Sequence, residues 1–450
     1  MLRDWLWSAI LPNCAHDPDP LPASMKLLCV GDIHLGRQPS RIPPAVDEAL
    51  GIANLGPAAA WRRSVDYAVE QGIDAVLLAG DVVEQEDDFY EAYRDLRAGV
   101  ERLTQAGIRV LGVTGNHDVQ VLPRLAESLP AFELLGAGGQ WETRELRGHD
   151  DQRLRIAGWS FPEARVTTSP LEGDFPAPTD CPTLGLLHCD RDQSRSPHAP
   201  VRSSDLEAAP VEAWLLGHIH RPDPLAAPRP MGYLGSLSGM DPGEPGRHGP
   251  WCLEITPGGD LAIEQIPLAP LYWHTLEIAV DGLQQAADIH RRVTEALGAL
   301  HAELETWSHG PAAVGCRLRL TGRSDQRHAL ERSLYADDPR ATPQDLGGRL
   351  YFVHDWRLEA LPALDLAELA AGSDPAALLA RKLQLLQGPD NAARRELLEK
   401  ARDPLAQVIH DPRYRALAPD VPDDEAIARH LEAAALHALD RLLLQRESEA

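Results

Sequence analysis

The sequence predicts an α/β fold of two packed sheets flanked by helices, followed by a small α+β unit and a helical tail. Three observations predict it. Short runs rich in Val, Leu and Ile end again and again in a glycine followed by a polar residue; stretches with helical apolar spacing lie between several of these runs; and the composition turns Ala/Leu-rich beyond Asp365. Alternation of strand and helix implies a sheet that is at least partly parallel. At 450 residues the chain is too long for one ordinary core, so two or three domains are expected.

Residues 1–24 read as an N-terminal extension, either disordered or the product of an upstream start-site assignment. The apolar run Trp5 to Leu11 is short and is followed by Pro12 and Asn13, unlike a secretory signal. Met25 stands directly before the strand-like Lys26 to Val30, which leads into Gly31-Asp32-Ile33-His34. Asp74 to Ala79 leads into Gly80-Asp81, and Arg109 to Thr114 into Gly115-Asn116-His117-Asp118. Thr183 to Leu187 ends at His188, and Ala213 to Leu216 runs into Gly217-His218-Ile219-His220. Apolar runs of this length bounded by Gly read as buried strands. Trp61 to Gln71 and Phe89 to Ala106 have helical spacing and stop at Gly72 and Gly107.

From about Arg153 to Ile266 the pattern is strand-rich with Gly/Pro turns, which completes a first domain over residues 25–270. The Pro-bearing join at Pro267 to Pro270 marks its boundary. Residues 271–360 read as a small α+β domain: strand at Trp273 to Val280, helix at Leu283 to His301, strands at Gly315 to Thr321 and Leu350 to His354. Residues 361–450 read as helical, with starts at Asp374-Pro375 and Asp423-Asp424. The last helix sets Ile427, Leu431, Ala434, Ala438, Leu439 and Leu442 on one side. Packing on the chain's own body is the plainer reading of that stripe, and a partner-binding face the sharper one.

The 43 Lys and Arg stand against 68 Asp and Glu, a net charge of -25 that repels nucleic acid overall. A DNA substrate would require compensation by bound metal or by a partner. Six cysteines without a CxxC pair argue against a disulfide framework and a zinc ribbon, and suit a reducing cytoplasm. No run approaches the roughly 20 apolar residues of a membrane-spanning helix.

All five polar motifs fall beyond the carboxyl ends of strands, the edge at which such sheets bind ligands. Their residue types suit metal-assisted hydrolysis of a phosphate ester, in which two divalent ions supply both a nucleophile at neutral pH and positive charge for the phosphoryl oxygens. Asp32 and His34 can converge on one ion, the two oxygens of Asp81 can bridge, Asn116 offers a neutral carbonyl, and His188, His218 and His220 offer imidazoles. A shell of oxygen and nitrogen without thiolate disfavours structural zinc and suits Mn, Fe or Zn. His117 points toward substrate as a proton donor or phosphoryl stabiliser, and Asp118 orients it. Singly these pieces are ordinary: a Gly-Asp after a strand is usually a turn, Asn-His-Asp a polar loop, and a lone His a satisfied core residue. Five in one order carry the metal site.

GDIH at 31–34, GD at 80–81, GNHD at 115–118, His188 and GHIH at 217–220 resemble the calcineurin-like metallophosphoesterase superfamily. With Tyr233-Leu234-Gly235-Ser236 and the C-terminal extension, they look like its bacterial DNA-repair exonuclease branch, the SbcD and YhaO type. The resemblance implies a four-layer αββα sandwich and two ions, Mn2+ first with Mg2+, Fe2+ or Zn2+ as alternatives. It implies one ion on Asp32, His34, Asp81 and His220, the other on Asp81, Asn116, His188 and His218, and His117 as the catalytic histidine. The reaction it implies is attack of metal-activated hydroxide on a phosphodiester. It further implies a capping domain over 271–360, C-terminal helices that bind an SbcC-like coiled-coil ATPase, and a homodimer.

One departure from that branch is Glu84, which stands where its well-known nucleases carry a histidine three residues after the Gly-Asp aspartate. A carboxylate cannot replace a hydrogen-donating imidazole unless protonated. Glu84 with Glu86, Asp87 and Asp88 reads as a solvated acidic loop. Three functions follow for comparison: a DNA exonuclease subunit, a phosphoesterase on nucleotides or other small phosphoesters, and a non-catalytic adaptor of an ATPase. The DNA reading expects a basic strip drawn from Arg37, Arg41, Arg62, Arg63, Arg191, Arg195 and Arg202, with Arg37 and Arg191 as substrate-binding residues. His16, His149, His198 and His248 lack motif context and read as surface residues.

Overall fold

The computed structural model describes residues 24–85, 89–148, 152–409 and 422–449. The extension before Ser24, His16, His149 and the acidic residues Glu86, Asp87 and Asp88 lie outside the described residues. The chain divides into two compact units, one comprising residues through Trp273 with Trp307–Val314, the other His274–Thr306 with Gly315–Ala450.

The first unit is built on two sheets. Strands β1 (Met25–Val30), β2 (Ala75–Leu78), β3 (Arg109–Gly112) and β4 (Phe132–Leu134) run parallel in one sheet. Strands β5 (Glu142–Arg147), β6 (Arg153–Trp159), β7 (Thr183–His188), β8 (Ala213–Gly217) and β9 (Met231–Tyr233) form the other, in sequence order, with only β5 antiparallel. β10 (Trp251–Ile255) and β11 (Leu261–Gln265) return antiparallel to extend the first sheet beyond β1.

Period-two alternation along the strands assigns each residue to a layer. Leu27 and Cys29 of β1 join Leu77 and Leu111 in facing Leu154, Ile156, Leu184, Leu186 and Leu215 of the second sheet. Leu28, Val30, Val76, Leu78 and Val110 point the other way. They pack on helices α2 (Pro57–Glu70), α3 (Phe89–Gln105) and α4 (Val121–Ser128); α1 (Pro44–Leu50) precedes them in the chain. The outer face of the second sheet, Trp159, Leu187, Trp214 and Leu216, is covered by α5 (Ser203–Ala208) and loops carrying Phe161, Val166 and Val201. This is the four-layer αββα sandwich, with a fourth layer made mostly of loop.

Segment 307–314 belongs to the first unit although the chain leaves that unit before and after it. Trp307 packs edge-on against Tyr272 at 5.3 Å with the Arg247 guanidinium 4.4 Å from its ring centre. Gly310 O accepts from Arg63 at 2.9 Å, and the Ala312 and Ala313 amides donate to Pro270 O at 2.8 and 3.1 Å.

The second unit contains a four-stranded sheet ordered β12 (Leu271–Ala279), β13 (Ala313–Thr321), β16 (Arg349–Leu358), β15 (Gln344–Leu346), and a pair of two-residue strands, β14 (Arg323–Ser324) and β17 (Leu361–Pro362). Helices α6 (Asp288–Leu304) and α7 (Arg327–Ala336) accompany the sheet. The chain then becomes helical through α8 (Leu366–Ala370), α9 (Pro375–Gln387), α10 (Ala392–Ile409) and α11 (Asp424–Glu449). Asp374 caps α9 by accepting the Ala377 N–H at 2.8 Å, and Asp423 receives Ala426 N–H at 2.7 Å at the start of α11.

The face α11 buries shares Ile427, Leu431 and Leu439 with the expected stripe and departs from it in the other three residues. Leu436 and Leu439 pack with Ala376, Ala380 and Leu383 of α9, while Ile427 and Ala428 pack with Leu386 and Leu398. Ala434 and Ala438 are exposed and Leu442 is 37% exposed. The helix face is thus used within the chain, rotated from the stripe that simple spacing suggests.

Candidate metal centre

The five motifs meet where β1, β2, β3, β7 and β8 end, and glycine is what lets these ends approach. A Cβ on Gly115 would lie 2.2 Å from Asp81 Oδ1; one on Gly217 would lie 2.1 Å from Ala79 O and 2.8 Å from His188 Nδ1. Three of the polar residues at these turns hold left-handed backbone without being glycine: His34 (φ 56), Asp81 (φ 46) and His218 (φ 107). Each such residue costs on the order of 1–3 kcal/mol, a strain that gathers at functional sites.

The side chains form two groups. Asp32, His34 and His220 present ligand atoms to one point, and Asp81, His188 and His218 to another. Asp32, His34, Asp81 and His188 are at most 2% exposed. One oxygen of each aspartate is held by backbone: Asp32 Oδ1 accepts His218 N–H and Asp81 Oδ1 accepts His117 N–H, both at 2.9 Å. Asp32 Oδ2 is buried with no hydrogen-bond partner. The Tyr233 to Ser236 segment supports the same ring of residues, since Ser236 N–H donates to His220 O and Leu237 N–H to Asp32 O.

The arrangement needs a cation. His188 Nδ1 lies 3.1 Å from Ala79 O, a carbonyl that can only accept, so Nδ1 carries the proton. Nε2 then faces Asn116 Oδ1 at 3.2 Å and Asp81 Oδ2 at 3.3 Å, both acceptors, so it holds either a proton or a metal ion. The same holds at the other group. Glu244 is hydrogen-bonded to His220 Nδ1 at 2.7 Å and Glu84 lies 2.7 Å from His34 Nδ1 as a charge contact, while the two Nε2 atoms face each other 3.0 Å apart with room for one proton or one ion between them. Converging lone pairs and an orphaned carboxylate oxygen are satisfied by a proton or a metal ion, and the O/N donor set is that of a divalent metal.

The electrostatics agree. Burial raises the Asp81 carboxyl, yet the facing imidazoles of His188, His34 and His117 hold it below the usual carboxylate range. Burial lowers His188, yet Asp81 and Asp32 bring it up to about 9. His218 is pushed down to about 4 by burial and by His188 beside it.

His117 is exposed at the edge of the group, its ring T-shaped against His34 at 5.1 Å, with Nδ1 3.0 Å from Glu84 O. Asp118 is not its orienting partner. Buried with its pKa raised to about 7 by burial and by Asp81, it accepts Val82 N–H at 2.7 Å and Gly115 N–H at 2.8 Å, tying the two motif loops together.

Arg191 is not available as expected: it pairs with Asp223 at 2.8 Å and lies over the Tyr233 ring at 4.9 Å. Arg63 is tied to Gly310 O, which thins the basic strip further. Arg37 remains close enough to the centre to lower the Glu84 carboxyl, behind the larger effect of the His34 contact. Glu84 is no solvated loop residue; its side chain is 24% exposed and its carboxylate meets a buried ring. His198 packs 4.9 Å from His218, with Asp190 3.6 Å from the His218 ring nitrogen, and His248 is buried and bonded to Ser236. Both therefore leave the surface class. Glu244 was invisible in the sequence, having no motif around it, whereas Asp190 stands two residues after His188.

A sandwich of this kind with paired metal-ligand groups at its strand ends defines a metal-dependent phosphoesterase. Residues 25–222 match the calcineurin-like phosphoesterase family, and residues 273–360 match the middle domain of metallophosphoesterase YhaO. The chain carries a calcineurin-like phosphoesterase domain over residues 25–222, and the proteins it resembles include a DNA-repair-type member of that superfamily. It is 25% identical over 246 residues to the uncharacterized metallophosphoesterase YhaO of Bacillus subtilis, covering 54% of this chain and 60% of that protein. It is 29% identical over 312 residues to the DNA double-strand break repair protein Mre11 of Aeropyrum pernix, covering 63% and 70%. The chain thus spans about three fifths of YhaO. Among solved structures, a dimetal phosphatase from Danio rerio aligns over 54% of this chain and 96% of its own at 12% identity and a TM-score of 0.34.

Proposed function

We propose that this protein is a two-metal phosphodiesterase acting on DNA, an exonuclease subunit that works in the cytoplasm with an SbcC-like coiled-coil ATPase. The observation that carries the reading is the convergence of acceptor lone pairs from Asp32, His34, Asp81, Asn116, His188, His218 and His220 on two neighbouring points. In this reading Asp32, His34, Asp81 and His220 hold one ion, and Asp81, Asn116, His188 and His218 the other, with Mn2+ the first choice. When bound, the ions supply a nucleophile at neutral pH and neutralise phosphoryl charge. The chain's own residues do the rest. His117, exposed and with Nδ1 engaged by Glu84 O, is placed to pass a proton to the leaving oxygen. Asp118 keeps the Asp81 and Asn116 loops in register, and Arg37 is the remaining candidate for a substrate phosphate. The likeness to Mre11 supports DNA as substrate.

A small phosphoester is the second reading, favoured by Glu84 beside the centre and by the net charge of -25. The experiment is hydrolysis of linear double- and single-stranded DNA with Mn2+, comparing wild type with His117→Ala and Asp81→Asn. The DNA reading expects metal-dependent cleavage by wild type and at least a roughly 100-fold loss in both variants. Intact DNA alongside hydrolysis of bis-p-nitrophenyl phosphate turns the assignment to small phosphoesters. Wild-type inactivity on both substrates, with metal bound, favours the adaptor.

A further inference from the structure

His34 and His220 reach the same point from different strand ends, and each is backed by a carboxylate. Glu244 Oε1 is hydrogen-bonded to His220 Nδ1 at 2.7 Å, and Glu84 Oε2 lies at the same 2.7 Å from His34 Nδ1 as a close charge contact outside hydrogen-bond geometry. The two glutamates come from unrelated places, one three residues beyond Asp81, the other on the loop after β9. Glu244 is itself fixed, its second oxygen accepting Met240 N–H at 2.7 Å. The other histidines lack such close carboxylates behind them: His188 is backed by the neutral Ala79 carbonyl at 3.1 Å, and Asp190 stays 3.6 Å from His218. The two candidate ion positions therefore differ in the charge that surrounds them.

We propose that Glu84 and Glu244 are positioning residues, Glu244 through a hydrogen bond to His220 and Glu84 through its charge beside His34, which keep the two Nε2 atoms turned to one metal ion and make that position the tighter of the two. The inference rests on the metal-centre reading. A carboxylate on the remote nitrogen fixes ring orientation and tautomer and makes the ligating nitrogen more basic; removing such a partner typically weakens metal binding about 10–100-fold. It also accounts for Glu84 where nucleases of this branch carry histidine: the side chain faces a ligand, so its work is on the metal.

The test is titration of metal-free protein with Mn2+ by calorimetry, with electron paramagnetic resonance to separate a coupled ion pair from a single ion. Wild type is expected to bind two equivalents of unequal affinity. Glu84→Ala should weaken the tighter step about 10–100-fold, leave the other within about threefold, and convert the coupled signal to a single-ion one at low occupancy. Glu84→Gln keeps the shape of the side chain but loses the charge beside His34, so it should weaken the same step by no more than Glu84→Ala does. Glu244→Gln should weaken the same step as Glu84→Gln, and the metal-free melting temperature should be unchanged in the Glu84 variants. Unchanged affinities in Glu84→Ala overturn the proposal. So do three equivalents in wild type falling to two in Glu84→Ala, which would make Glu84 a direct ligand. Absence of Mn2+ binding by folded wild type would instead bring down the metal-centre reading itself.

Discussion

At the scale of single residues, the site is a problem of close approach. Gly115 has room for a hydrogen only, because Asp81 Oδ1 occupies the space a methyl would need. Gly115→Ala is expected to displace the Asp81 carboxylate, cost on the order of 1–3 kcal/mol of stability and weaken Mn2+ binding together; urea denaturation and metal titration of the same sample check both. Asp81→Asn should behave differently, since asparagine tolerates the left-handed backbone that position 81 holds. The seven ligand candidates stand out in the sequence because each closes or follows a strand and most follow a glycine. Glu84 was legible only as a departure, and Glu244 not at all, because its meeting with His220 is made by the return of a loop. Asp118 was read as the partner of its neighbour His117, whereas a buried carboxylate between two loops finds backbone N–H groups first.

Elements were legible where periodicity was strong. The runs before Gly31, Gly80, Gly115, His188 and Gly217 are buried strands as expected, and the helices stopping at Gly72 and Gly107 are present. β4 and β5 were missed because the first has only three residues and the second, Glu142–Arg147, is mostly charged, as befits an edge strand. The face of α11 was legible in Ile427, Leu431 and Leu439 only, because Ala and Leu surround the helix and the partner helix α9 rather than sequence spacing selects the rest of the buried side. The contrast is measurable: Leu436→Ala removes a fully buried side chain and should cost about 2–5 kcal/mol, whereas Leu442→Ala, 37% exposed, should cost well under about 1 kcal/mol. Equal midpoints in urea would contradict the packing of α11 on α9.

For the whole molecule, charge and architecture pull apart. A net charge of -25 gives DNA little reason to approach, so in the proposed function binding depends on the ions and on a partner. The described residues include no helix long and apolar enough to cross a membrane, and five unpaired cysteines, of which Cys29, Cys189 and Cys316 are buried with their thiol pKa raised by that burial. The division into 25–270, 271–360 and 361–450 stays a proposal, and segment 307–314 complicates any cut between the first two. A chain ending at 270 keeps every candidate ligand but loses Trp307, Gly310 and Ala312, the residues that Arg247, Arg63 and Pro270 O hold in the intact unit. It is expected to melt lower than the phosphoesterase unit of the intact protein and to be cleaved faster by protease. The same segment also bears on birth at the ribosome, where domains usually fold as they emerge. The last metal-ligand candidate, His220, leaves the ribosome long before Trp307, so a nascent chain can gather the whole centre while the unit that carries it is still incomplete, and must wait for residue 314 before that unit closes.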